Sequence, residues 1–190
     1  MYYVQSYPIN QPKAVIEESM LKNKYENAEI FLRDLTRTDL DDFLTWASDP
    51  EVAQYMTWEP YTDKEDALNF LIDIVETHPF FKAIIFEGKV VGSLTLTLGK
   101  GNAACRAELG YVIAKQYWGK GIATAAVIRA IRSGFDEFKI NRIEAFVAPE
   151  NIPSQRVLQK AGMHFEGLLK NYMIFKGQIQ DRFLFSIAEQ

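Results

Sequence analysis

The nine residues Gln116-Tyr117-Trp118-Gly119-Lys120-Gly121-Ile122-Ala123-Thr124 place two glycines and a lysine between two strongly patterned segments. Ahead of them runs the strand-like Ala107-Glu108-Leu109-Gly110-Tyr111-Val112-Ile113. Behind them Ile122, Ala123, Ala126, Val127, Ala130 and Ile131 recur at the spacing of one helix face. A strand that ends in a glycine turn and opens a helix favours anions. The first helical N–H groups have no internal acceptor, and the helix dipole adds positive potential there. Glycine lets the backbone approach a ligand without a Cβ in the way. The chemistry implied is phosphate binding, with a plain strand-to-helix turn as the alternative.

Two common phosphate loops do not fit. A P-loop requires G-x-x-x-x-G-K-[ST], but Gly121 follows Lys120 and Ala114 stands where the first glycine belongs. The dinucleotide pattern G-x-G-x-x-G fails at Thr124. What remains is Q-x-x-G-x-G, which Gln116-x-x-Gly119-x-Gly121 satisfies.

The elements that must carry this loop read as follows. Residues 1–28, with Pro8 and Pro12, show no clean period; they form an N-terminal extension, either flexible or with a short helix over Ala14 to Leu21. The domain occupies 29–190 and starts with a strand at Ile30 to Arg33. Thr38 is expected to cap a helix carrying Leu40, Phe43, Leu44 and Ala47, and Asp49-Pro50 restarts it. Thr62-Asp63-Lys64-Glu65 has the form of a capping box before a helix with Ala67, Leu68, Leu71, Ile74 and Val75 on one face. Tyr55 to Tyr61, between these helices, is either a loop packed on the core or a wall of a substrate pocket. Phe80 to Phe86 and Val90 to Leu98 flank Glu87-Gly88-Lys89 as a hairpin, followed by the strand Arg106 to Ile113. The helix after the glycine loop is expected to end near Gly134. Arg142 to Val147 is a strand, and Asn151-Ile152-Pro153-Ser154 opens a helix stopped by Gly162. Phe165 to Phe175 and Ile179 to Ile187 close the chain as a hairpin. The sum is an α/β domain with a mixed, largely antiparallel central sheet flanked by helices.

Composition narrows the partners. The chain of 190 residues suits one domain. A net charge of −4 without a basic run argues against nucleic acid. No apolar run approaches the ~20 residues of a membrane span, and the single cysteine, Cys105, favours a reducing, cytoplasmic setting. His78, His164 and Cys105 lack partner patterns, and no metal set is present.

Two ordered motifs resemble the GNAT N-acetyltransferase superfamily, in particular its branch similar to RimJ/RimL. Glu108-Leu109-Gly110-Tyr111-Val112-Ile113 is similar to that branch's E-[IL]-G-Y-x-[IL] strand, followed at the right distance by Trp118-Gly119-Lys120-Gly121. Asn151-x-x-Ser154-x-Arg156-Val157-Leu158-x-Lys160-Ala161-Gly162-Met163 resembles its N-x-x-S-x-[RK]-[VL]-[LM]-x-K-x-G-F, with Met163 in place of the aromatic. The resemblance covers roughly residues 30 to 187. It implies a GNAT acyl-CoA N-acyltransferase fold, with acetyl-CoA and an amine acceptor as partners and no metal.

Residue by residue, the resemblance implies that the backbone of Tyr111, Val112, Ile113 and Ala114 pairs with the pantetheine arm. Gln116, Trp118, Gly119, Lys120, Gly121, Ile122, Ala123 and Thr124 form the pyrophosphate loop, and Asn151 and Ser154 reach the cofactor from the next strand's end. Lys120 is equally readable as a solvated cation, and Arg156 reads as a surface residue, with contact to the cofactor phosphates as the alternative. Glu108 is the leading base, against the alternative of a structural carboxylate. Ser154 is the candidate donor to the leaving thiol, against helix capping with Asn151, and Tyr172 is a third, weaker acid. A backbone N–H near Ile113 serves the oxyanion. Trp58 and Tyr61 are expected to touch the acceptor, with the acidic Asp49, Glu51 and Glu59 around them. The acceptor is expected to be a peptide or protein N-terminus. A polyamine, an amino sugar or a non-catalytic acyl-CoA-binding module are the alternatives, and the oligomeric state stays open.

Overall fold

A computed structural model describes residues 29–189. The expected N-terminal extension therefore lies outside the described residues. Strands are β1 (Ile30–Asp34), β2 (Phe81–Phe86), β3 (Lys89–Leu98), β4 (Arg106–Ile113), β5 (Arg142–Val147), β6 (His164–Phe175) and β7 (Gln178–Ala188). Helices are α1 (Leu40–Ala47), α2 (Pro50–Ala53), α3 (Lys64–Phe70), α4 (Ile122–Phe138) and α5 (Ile152–Lys160). One seven-stranded sheet has the order β1-β2-β3-β4-β5-β7-β6. Every neighbouring pair is antiparallel except β4 and β5, which run parallel over only Arg106 to Glu108 against Arg142 to Glu144.

Each face of the sheet has its own apolar layer. On one face α4 lays Ala125, Ala126, Val127 and Ala130, all fully buried, against Leu94, Leu96, Ile143 and Phe185. On the other face α1, α3 and the turn that follows α3 pack Phe43, Trp46, Ala67 and Leu71 against Ala83, Val90, Val112 and Ala114. Each fully buried Leu, Ile or Phe here contributes roughly 1.5–3 kcal/mol.

Two glycines set how closely the layers approach. Gly92 of β3 lies opposite Ile113 of β4, and a Cβ there would stand 2.1 Å from the Val112 carbonyl oxygen and 3.0 Å from the Ile113 Cα. Neither is the movable end of a side chain, so Gly92→Ala is expected to destabilise the fold by about 3 kcal/mol, measured by denaturant unfolding. Gly134, expected near the end of α4, instead sits in mid-helix; a Cβ would meet Ile143 Cδ1 at 2.8 Å. It is a packing glycine, and α4 continues to Phe138, where Lys139 turns left-handed at φ 53.

Other local expectations shift for physical reasons. Thr36, not Thr38, begins the α1 region: its N–H donates 3.0 Å to Asp39, which Arg33 also holds at 2.6 and 2.7 Å. Asp63, one residue after Thr62, caps α3 by accepting from the Glu65 N–H at 2.7 Å. After Phe70 the helix widens into a π turn over Leu71–Val75. The wider turn rotates Ile74 off the apolar face, leaving it 52% exposed while Leu71 and Val75 stay buried.

Candidate active site

The parallel ladder stops at Glu108 and Glu144, and beyond that point β4 and β5 part. The Ala114 N–H donates 2.8 Å to the Val91 carbonyl of β3. Backbone groups alternate sides along a strand, so Val112 also faces β3, while those of Tyr111 and Ile113 face the gap. Ala114, expected among the pantetheine partners, is thus buried and committed to β3. The Ile113 carbonyl accepts from Trp118 Nε1 at 2.7 Å, which leaves the Ile113 N–H and both Tyr111 groups on the gap side.

A cavity of about 550 Å³ opens at this split. Tyr111, Val112 and Ile113 form its floor; Trp118, Gly119, Gly121, Ile122, Ala123 and Thr124 form one wall; Asn151, Ser154, Arg156 and Lys160 form another. Gly119 and Gly121 take φ of 74 and 81, left-handed values that favour glycine. The first turn of α4 closes with Ala125 N–H to the Gly121 carbonyl at 3.1 Å. The N–H groups of Ile122, Ala123 and Thr124 therefore have no helical acceptor. Arg156 and Lys160, one turn apart on α5, add two cations from the other wall. Their i, i+4 spacing was the available signal for Lys160, and Arg156 stands on the cavity rather than on an unrelated surface. Gln116 is exposed on the short 3₁₀ turn Lys115–Tyr117 and is not among the lining residues, nor is Lys120, whose Nζ rests 4.9 Å over the Tyr117 ring.

Ser154 is held from two sides. Its N–H donates to Asn151 Oδ1 at 3.2 Å, so Asn151 caps α5. Its Oγ lies 2.8 Å from the Tyr111 hydroxyl, which also donates to the Ser154 carbonyl at 3.2 Å. Burial pushes the Tyr111 phenol well above its ordinary value, so it stays protonated. Sequence reading used only the backbone of Tyr111 and missed this phenol.

Glu108 lies on the other face of the sheet, with Arg106, Glu144 and Arg142. Burial raises its carboxyl above the ordinary range, and Arg106 pulls it partly back. Glu144, opposite Glu108, is buried between Arg106 and Arg142, and Arg142 grips Glu166 with two bonds of 2.8 and 2.7 Å. The Glu108 side chain reaches solvent, but the strands around it desolvate the carboxyl enough to favour its protonated form, and no hydrogen bond from the described residues holds the carboxylate.

The other acceptor-side residues are placed differently from one another. Tyr55 and Met56 line the cavity with Glu51 and Gln54 of the α2 region. Trp58 and Tyr61 do not; Trp58 packs on the second core, and Tyr61 meets Phe43 edge-on and Phe70 at a tilt, with centroids 5.5 and 6.1 Å away. Glu51 pairs with Lys115, Glu59 pairs with Lys176 at 3.2 Å, and Asp49 accepts the Glu51 N–H at 2.8 Å.

The family model for the acetyltransferase (GNAT) domain matches residues 29–164. The chain belongs to the GNAT acetyltransferases. The uncharacterized N-acetyltransferase p20 of Bacillus licheniformis is 34% identical over 165 residues, covering 84% of this chain and 92% of that protein. The spermidine N(1)-acetyltransferase of Escherichia coli K12 is 27% identical, over 79% of this chain and 81% of its own. Among solved structures, Mycobacterium smegmatis RimJ in complex with CoA-disulfide superposes with a TM-score of 0.68 at 32% identity, covering 84% of this chain and 81% of that one. GNAT enzymes use acetyl-CoA, and the glycine-turn N–H groups, the two cations and the unpaired strand edge of this acetyltransferase fit such a ligand. No described helix is long and apolar enough to cross a membrane.

Proposed function

We propose that this GNAT chain binds acetyl-CoA across the β4–β5 split and transfers the acetyl group to the α-amino group of a peptide or protein N-terminus, by direct attack within a ternary complex. Acetyl-CoA supplies a thioester carbonyl. The N–H groups of Gly119 to Thr124, with Arg156 and Lys160, hold the pyrophosphate. The gap-facing backbone of Tyr111 and Ile113 holds the pantetheine amides, and the Ile113 N–H faces the oxygen on which negative charge develops. Glu108 takes a proton from the incoming ammonium, directly or through water, so that the nitrogen lone pair attacks the carbonyl carbon. As the C–S bond breaks, the attacking nitrogen sheds its second proton to water and Ser154 Oγ donates to the thiolate sulfur, its proton then being replaced from solvent; the Tyr111 hydroxyl stays protonated and orients Ser154.

The observation that carries the α-amine over a polyamine is the pairing of the acidic residues near the mouth. Glu51 and Glu59 are matched by Lys115 and Lys176. Of the three acids there, only Asp49 has no lysine partner among the described residues, which leaves little surplus negative charge for a second ammonium. One carboxylate base also suits an α-amine, with a typical pKa of ~7.7–8.0 against ~10.4 for an alkylammonium. The second reading, a small polyamine acceptor, is favoured by the similarity to the spermidine N(1)-acetyltransferase. Turnover on peptides with a small first residue is expected to exceed turnover on spermidine at neutral pH, measured by CoA release. Efficient spermidine acetylation without peptide turnover would reject the peptide reading.

A further inference from the structure

Strand β6 forms an outer edge of the sheet, separated from β5 by β7. Its pairing with β7 is interrupted: Leu169 lies opposite Arg182 and Met173 opposite Gln180, so Lys170, Asn171 and Tyr172 together face the single Asp181. Asn171 absorbs the excess in the left-handed region at φ 51, and its N–H donates 2.8 Å to the Asp181 carboxylate. Asparagine tolerates this conformation better than most side chains. A bulge of this kind re-aims a side chain. Here it carries the Tyr172 ring inward across β7 to stack on Phe146 of β5, with centroids 4.7 Å apart and planes at 23°. Two strand spacings, roughly 9.5 Å, separate these backbones.

Phe146 follows Glu144 by two residues, so pleating puts both on the Glu108 face, just beyond the last paired rung of β4 and β5. The stacked rings thus stand where the strands part. The phenol lies close enough to Glu108 and Arg106 for both charges to act on it: burial and Glu108 raise it, and Arg106 opposes them. Tyr172 is nonetheless 45% exposed, so part of its side chain stays open to solvent in the neighbourhood of Glu108.

We infer that Tyr172, backed by Phe146 and held inward by the Asn171 bulge, is an acceptor-binding wall against which the carbon chain next to the reacting amine packs. This rests on the reading of the chain as an amine acetyltransferase with Glu108 at the acceptor side, and applies to a peptide or a polyamine. The wall acts through the ring face, so the hydroxyl is dispensable.

Steady-state kinetics with an alanine-initiated tetrapeptide and with spermidine test it, using whichever acceptor the wild type turns over. Tyr172→Ala is expected to raise the acceptor KM about 10-fold, a loss of about 1.4 kcal/mol, with kcat and the acetyl-CoA KM within twofold of wild type. Tyr172→Phe should match wild type. Asn171→Gly, which keeps the left-handed backbone accessible, should also match it, whereas Asn171→Val should raise the acceptor KM as Tyr172→Ala does. Should Tyr172→Ala fail to fold, the Asn171 pair decides. An unchanged acceptor KM in Tyr172→Ala, or in Asn171→Val where that pair decides, would overturn the wall. So would a kcat loss in Tyr172→Phe, which would make the phenol a proton donor. Turnover of spermidine alone would remove the peptide reading and leave the wall in place; turnover of neither acceptor would overturn both.

Discussion

Replacing Gly121 by aspartate is expected to weaken CoA binding about 100-fold, roughly 2.8 kcal/mol, while the protein stays folded. Gly121 caps α4 in the left-handed region, and the free N–H groups of Ile122 to Thr124 follow it. Aspartate tolerates left-handed backbone and is favourable at a helix N-terminus, so the fold should survive. The same negative charge stands where the pyrophosphate must sit. Calorimetric titration with CoA reads the loss directly. Gly121→Ala is the control, because it adds strain without charge and should bind between the two. Wild-type affinity in Gly121→Asp would remove the pyrophosphate assignment.

Glu108→Gln is expected to lower kcat by about 10²–10⁴, the usual worth of a positioned base. In the wild type kcat/KM should rise with pH as Glu108 ionises, and burial places that limb above the ordinary carboxylate range. The substitution should abolish the limb and leave only the acceptor's own ionisation. Stability should move the other way. A carboxyl raised in the folded state binds its proton more tightly there than in the unfolded chain, so its contribution falls as pH rises through the window between the two values. Glutamine removes that loss, and the variant should be at least as stable as wild type at neutral pH. A variant that keeps its rate and pH profile, or that loses activity together with stability, would make Glu108 structural.

The elements legible in the sequence were those with local signals. The hairpin turns at Glu87-Gly88 and Lys176-Gly177 have positive φ at both residues, as such turns require. The strand Arg106 to Ile113 keeps its β-type residues through to the glycine turn. The misreadings come from residues with two uses. Gly134 looks like a helix stop but is small in order to clear Ile143. Ile74 has the right spacing for the core, but a π turn changes the angle per residue. The site was legible where the motif is contiguous, at the glycine loop and at Asn151 to Ser154. It was illegible where partners come from different strands. Tyr111 finds Ser154 43 positions away, and Tyr172 meets Phe146 only because three residues crowd against one. Trp58 and Tyr61 show the reverse: an aromatic loop beside a pocket spends its rings on the core.

The short parallel pairing of β4 and β5 also says something about how the molecule can yield. Strands β1 to β4 form one antiparallel block, and β5, β7 and β6 form a second. Within the sheet the two are stitched at three residue positions. Shear or opening along that seam strains few backbone bonds and leaves both blocks intact, whereas opening anywhere else breaks a long ladder. The softest line in the sheet therefore coincides with the split that the proposed function assigns to acetyl-CoA and the acceptor.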